Sequence, residues 1–120
     1  MRLHTLTLHP LQIPFKTRFK HSSAERTMTQ SVLVAARTDS GCLGLGEGCP
    51  REYVTAESIA SAERFFATHR DDLINTVNSI TDLRQWIKSH AATIEQNPAA
   101  WCAIELALLA IFLLHIFFAI

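Results

Sequence analysis

The chain has 120 residues, 48% of them hydrophobic, enough for one core and too few for two domains of usual size. Its 11 Lys and Arg balance its 11 Asp and Glu, so it lacks the basic excess with which nucleic-acid binders neutralise phosphate, and no nucleic-acid partner is expected. Cys42, Cys49 and Cys102 form no CxxC pair and no zinc-finger spacing with histidine, and the N-terminus MRLHTLTLHPLQIPFK alternates in polarity where a secretory leader would be continuously apolar. A reducing, cytoplasmic setting is expected.

From Leu3 to Ile13 the apolar residues Leu3, Leu6, Leu8, Leu11 and Ile13 recur near period 2, with one slip around Pro10, which predicts an edge strand. Pro14 to Thr27 is polar and lacks a sustained period, so a long exposed loop is expected. From Met28 the run TQSVLVAARTD favours a strand; it stops at Asp39-Ser40-Gly41, and CLGLGE resumes at once. Two apolar runs joined by so short a turn predict a hairpin, and with the first strand a three-stranded antiparallel meander.

Gly48-Cys49-Pro50 ends the strands, and helical periodicity follows. Thr55 is the expected N-cap of a helix to about His69, with Ile59, Ala62, Phe65 and Phe66 on one face. Ser79 or Thr81 caps a second helix carrying Leu83, Trp86 and Ile87, and Asn97-Pro98 opens a third through Trp101, Ile104 and Leu108. Strands first and about three helices after, without βαβ alternation, give an α+β fold with segregated layers.

The residues offer little catalytic chemistry. Gly41, Gly44, Gly46 and Gly48 invite a phosphate-binding reading, but Pro50 intervenes before any helix and no Walker lysine follows, so a closely packed hairpin is the better account. His4, His9, His21, His69, His90 and His115 are scattered, with no i, i+4 pair, so no metal site within the chain is expected. Ser22 and Ser23 beside His21 are adjacent in sequence, which is not the geometry a general base requires. The final run, AWCAIELALLAIFLLHIFFAI, has about the length that crosses a bilayer, roughly 20 residues. Glu105 inside it would cost about 2.5 kcal/mol or more in lipid, and no Lys or Arg follows, which favours a buried core helix over a tail anchor.

Residues 13–55, IPFKTRFKHSSAERTMTQSVLVAARTDSGCLGLGEGCPREYVT, followed by AIELALL at 103–109, resemble the N-terminal domain of the enolase superfamily. The similarity is to its mandelate racemase and muconate-lactonizing branch, muconate cycloisomerase or dipeptide-epimerase-like. The segments IPFK, HSSAxR, TxxxLV, GxxGxGE and PRxYVT stand in that family's order. The resemblance implies a domain that caps a (β/α) barrel. There a magnesium ion held by barrel carboxylates stabilises an enolate, formed when a base removes a proton next to a carboxylate. It further implies that two capping loops, Phe15 to Thr27 and Gly48 to Thr55, close over a small carboxylate substrate. Carried over by position, Arg26 and His21 face polar substrate groups and Phe19 and Tyr53 shape an apolar wall; Arg51 either joins them or pairs with Glu47 or Glu52.

By this resemblance residues 1–109 are the capping domain, residues 110–120 a divergent apolar tail, and the catalytic barrel is absent. Where the family continues with an aspartate and a glycine-lysine pair, this chain has IFLLHIFFAI, so a premature end, a frame change near Leu109 or a deliberately shortened chain is implied. Such a chain is expected to be inactive alone, to have the missing barrel as partner, and to self-associate through its exposed tail. The alternatives from other classes are a small tail-anchored membrane protein and a non-catalytic interaction module.

Overall fold

A computed structural model describes residues 2–21 and 24–118, with side chains described at 2–13 and 30–116. Strands β1 (Leu3–His21), β2 (Ala24–Thr38) and β3 (Leu43–Gly48) pair antiparallel in the order β1-β2-β3. Helices α1 (Glu52–Thr55), α2 (Ile59–Thr76), α3 (Ile80–Ser89), α4 (Ala91–Gln96) and α5 (Pro98–Phe118) follow. The α+β meander-then-helices architecture expected from the sequence is present, with five helices where three were predicted.

Alternation along the central strand decides the layering. Val32, Val34 and Ala36 of β2 are fully buried against the helices, and Leu6 and Leu8 of β1 pair with Ala36 and Val34 on that same face. Leu3 and Leu6 are both buried although three apart, because the register shifts between Leu3 and Thr5; the slip expected around Pro10 is not there, the ladder running unbroken from His9↔Leu33 through Pro10↔Val32 to Leu11↔Ser31. Pro10 itself pairs in register with Val32, and its missing N–H is tolerated because β1 is an edge strand.

The expected loop from Pro14 to Thr27 is corrected. The β1–β2 ladder continues past Pro14↔Met28, shifts register, and resumes from Phe19↔Arg26 to His21↔Ala24. Antiparallel pairing satisfies the backbone of both strands and needs no apolar periodicity, which arises only where one face is buried. Ser22 and Ser23, weighed above as nucleophiles, lie outside the described residues.

The β2–β3 turn falls at Asp39-Ser40-Gly41. Gly41 has φ 91°, its N–H donates to the Thr38 carbonyl at 3.1 Å, and the Asp39 amide donates to the Arg2 carbonyl at 2.9 Å.

Thr55 is not the cap of the long second helix. Ala56, at φ 60°, ends α1 in the left-handed region, and Ser58 begins α2 with a reciprocal capping box to Ser61. Ser79 caps α3, its Oγ accepting from the Asp82 amide at 3.1 Å. The predicted apolar faces are in the core: Ala62, Phe65, Phe66 and also Leu73 from α2, Leu83 and Trp86 from α3, and Trp101, Ile104, Leu108 and Ile111 from α5. Helix α5 continues without a break across residue 110. Its stretch Pro98–Ile116 is long and apolar enough to cross a membrane, yet its inward residues, Ala100 through Phe112, are packed on the sheet and the other helices.

The glycine cluster explains how close α5 comes. On β3 the buried positions are Gly44, Gly46 and Gly48, and a β-carbon there would stand 2.2, 2.1 and 2.1 Å from the carbonyl oxygens of Ala107, Ala103 and Ala99. Every second strand residue advances roughly 6.8 Å and every fourth helix residue roughly 6 Å, so a period-2 glycine row and an i, i+4 alanine row stay matched over three contacts. The helix lies on bare strand backbone, antiparallel to β3.

Candidate functional site

Register places both candidate segments at one end of the sheet. β3 stops at Gly48 opposite Val32, while the β1–β2 ladder runs on from Leu11↔Ser31 to His21↔Ala24. Helix α5 starts at this same end, with Ala99 over Gly48. Between Gly48 and α2 the chain makes the short turn of α1, which carries the second candidate segment.

That segment is anchored by a residue the sequence reading passed over. Glu57 is 2% exposed, and its carboxylate accepts from the Ala99 amide at 2.9 and 3.1 Å and from the Ala100 amide at 3.1 Å. These are orphan donors of the first turn of α5, where the helix dipole also favours a negative charge. Glu57 thus ties the end of the 48–57 segment to the start of the helix on which β3 rests. Ala56 immediately before it is held in the left-handed region, a conformation costing a non-glycine residue about 1 kcal/mol or more. No local motif signals this, because the amides that Glu57 serves lie 42 and 43 positions away.

Arg51 stands at the N-cap of α1 with its side chain exposed, and its carbonyl accepts from the amides of Val54 and Thr55 at 3.1 and 2.9 Å. The ion pair present among the described residues joins Arg70 to Asp71, not Arg51 to Glu47 or Glu52. Tyr53 is 43% exposed and Val54 65%. The side chains of Phe19, His21 and Arg26 lie outside the described residues; their backbones belong to the ladder, Phe19 paired with Arg26 and His21 with Ala24. The structure therefore brings Arg51 and Tyr53 together on α1 and sets the strands bearing Phe19, His21 and Arg26 at the same sheet end.

Glu47 is a hydrogen-bonding partner within the sheet: the buried Ser31 donates its Oγ to Glu47 Oε2 at 3.0 Å across β2 and β3. That contact straps the outer face of the sheet next to the segment. On the same outer face Thr7 Oγ1 meets His9 Nε2 at 3.1 Å, and both residues are exposed. No carboxylate orients that imidazole in the hydrogen bonds of the described residues, so the pair lacks the third member of a nucleophilic relay. Among the described residues no three His, Cys, Asp or Glu side chains converge to hold a metal ion. The arrangement sets a guanidinium and a phenol on a tethered turn beside a two-stranded arm.

No protein-family model matches the sequence, and no curated protein sequence matches it. Solved structures do match the fold. A muconate lactonizing enzyme from Mycobacterium smegmatis, complexed with muconolactone, superposes with a TM-score of 0.77 at 26% identity, covering 90% of this chain and 29% of that one. A dipeptide epimerase from Methylococcus capsulatus, complexed with Mg and the dipeptide L-Arg-D-Lys, gives 0.74 at 24% identity over 90% of this chain and 30% of its own. The L-Ala-D/L-Glu epimerase of Bacillus subtilis gives 0.69 at 22% identity with the same coverage. The chain spans about 30% of the length of these enzymes.

Proposed function

We propose that this chain, which has the fold of the enolase-superfamily N-terminal domain of epimerases and cycloisomerases, is the substrate-specificity capping domain of a magnesium-dependent enzyme acting next to a carboxylate. The observation that carries this reading is the convergence at one sheet end of the β1–β2 arm and the Gly48–Thr55 turn, in a fold shared with enzymes of dipeptides and muconolactone. In the reading, Arg26, Arg51 and His21 meet the charged or carbonyl groups of a small carboxylate substrate, since a guanidinium matches a carboxylate in charge and in its paired donors. Phe19 and Tyr53 line the apolar side. In this reading the metal and the base belong to a barrel partner, and this domain's work is to select the substrate and exclude water above it.

In this reading residues 1–109 are that capping unit and 110–120 a divergent apolar tail, which α5 enters as far as Phe118. The tail-anchor alternative requires α5 to leave the sheet, and that would strip Gly44, Gly46 and Gly48 of the backbone they pack on and expose Trp101, Ile104 and Leu108. The test of the capping reading is exchange of the α-proton of dipeptides in D2O with magnesium present, followed by NMR on the purified chain. We expect no exchange above the rate without protein. Exchange that tracks the purified chain through successive columns would contradict a purely capping role.

A further inference from the structure

Away from the candidate site, five rings meet where α2, α3, α4 and α5 join. Trp86 stacks on Trp101 with centroids 5.0 Å apart and on His90 at 3.7 Å. His69 meets Trp86 and His90 edge-on at 5.4 and 5.5 Å and lies 4.6 Å from Phe65. Each indole N–H is held by a carboxylate, Trp86 Nε1 donating to Asp72 Oδ2 at 2.8 Å and Trp101 Nε1 to Glu105 Oε2 at 2.9 Å. His90 is at once the C-cap of α3 and the N-cap of α4, and its Nδ1 lies 2.9 Å from the Trp86 carbonyl, to which it donates. Helix α3 approaches α4 along the backbone and meets the core through Trp86 and the buried Leu83, with Ile80 and Ile87 packed against it, so the ring cluster is one part of that joint.

We propose that His69 and His90, set against the Trp86–Trp101 stack, form a pH-sensitive clasp that holds α3 and α4 on α2 and α5 near neutral pH and loosens them on acidification.

A proton on His69, packed against the Trp86 and His90 rings, is costly in a site half closed to water. Burial and then the neighbouring His90 push the His69 imidazole below its ordinary range, and the Asp72 carboxylate offsets this only in part. The other charges around the cluster are engaged elsewhere or beyond direct reach of the ring: Glu105 on Trp101, Asp82 on the Asn78 amide at 3.0 Å, and Arg70 on the Leu6 carbonyl and Asp71. A cavity of about 240 Å³ beside the stack, lined by Asp72, Thr76, Trp86 and His90 among others, gives water an entry when the rings part. The direction follows from linkage. A base whose folded affinity for protons is lowered contributes stability that is complete above its unfolded pKa of about 6.5 and is lost as the pH falls below that value and through the lower folded one.

The chain's two tryptophans are both in the cluster, so emission excited selectively at tryptophan, beyond the absorption of Tyr53, reports this joint. The 120-residue chain is titrated from about pH 8 to pH 5.5, above the range in which ordinary carboxylates titrate. Emission is expected to shift to longer wavelength with a midpoint below about 6.5. The shift should disappear in His69→Gln and persist in His115→Gln, which removes a histidine far from the cluster. If His69→Gln does not fold, His69→Phe keeps an aromatic ring without the titrating nitrogen and should abolish the shift equally. Emission that is unchanged across the range, or a shift that survives loss of the His69 imidazole, overturns the proposal.

Discussion

A β-carbon at position 46 would stand 2.1 Å from the Ala103 carbonyl oxygen and 2.6 Å from the Ala107 amide nitrogen, and both are backbone atoms with no rotamer to yield. Gly46→Ala must therefore push α5 off β3, and we expect a loss of about 1–3 kcal/mol in denaturant unfolding, the usual cost of overpacking. Gly41→Ala meets nothing within 4 Å and carries only the penalty of φ 91°, about 1 kcal/mol. The order of the two losses separates close approach from backbone freedom. At Ala56 the reverse change is informative: Ala56→Gly relieves a left-handed φ and should stabilise the chain by up to about 1 kcal/mol. Glu57→Ala leaves two buried amides of α5 without an acceptor and should cost about 1–2 kcal/mol, whereas Glu57→Gln keeps one oxygen and should cost less. The glycines' packing role is legible in the sequence from their period-2 spacing. Glu57 is not, because a carboxylate that caps a helix 40 residues away looks like any loop acid.

At the scale of elements, the parts with one buried face announced themselves. The apolar faces of α2, α3 and α5, the Ser79 cap, the Asp39-Ser40-Gly41 turn and the three-stranded order all follow from periodicity and turn chemistry, because those signals come from the burial they describe. The β1–β2 extension beyond Pro14 gives no such signal, since its pairing is made by backbone, and polar residues there read as loop. Thr55 has the residue type of a cap, but the left-handed Ala56 ends α1 there and α2 starts only from Ser58. Helix α5 has a second apolar stripe, on which Leu106, Leu113 and Ile116 are exposed while Leu108 and Ile111 are buried. Leu106→Asp and Leu113→Asp should reduce self-association in light scattering and preserve the helical signal in circular dichroism. Leu108→Asp, which buries a charge against the sheet, should abolish the folded signal.

For the whole molecule, the described residues share one hydrophobic core in a chain about 30% of the length of the enzymes that share the fold. Residues 13–55 carry the resemblance, and they contain both segments that meet at the sheet end. A capping domain acts through contacts to the part of the substrate that does not react, so its signature is a change in which substrate is turned over and not in how. The direct measurement is kcat/KM for a set of dipeptides and for muconolactone after residues 13–55 replace their counterparts in the full-length Methylococcus capsulatus dipeptide epimerase. The expected result is a magnesium-dependent enzyme whose preference among these substrates moves by about tenfold or more, a single pocket contact being worth roughly 10–200-fold, with Arg26→Ala and Arg51→Ala reversing part of the change. A folded, active chimaera with the parent enzyme's preferences unaltered would contradict the assignment of this chain as a specificity domain.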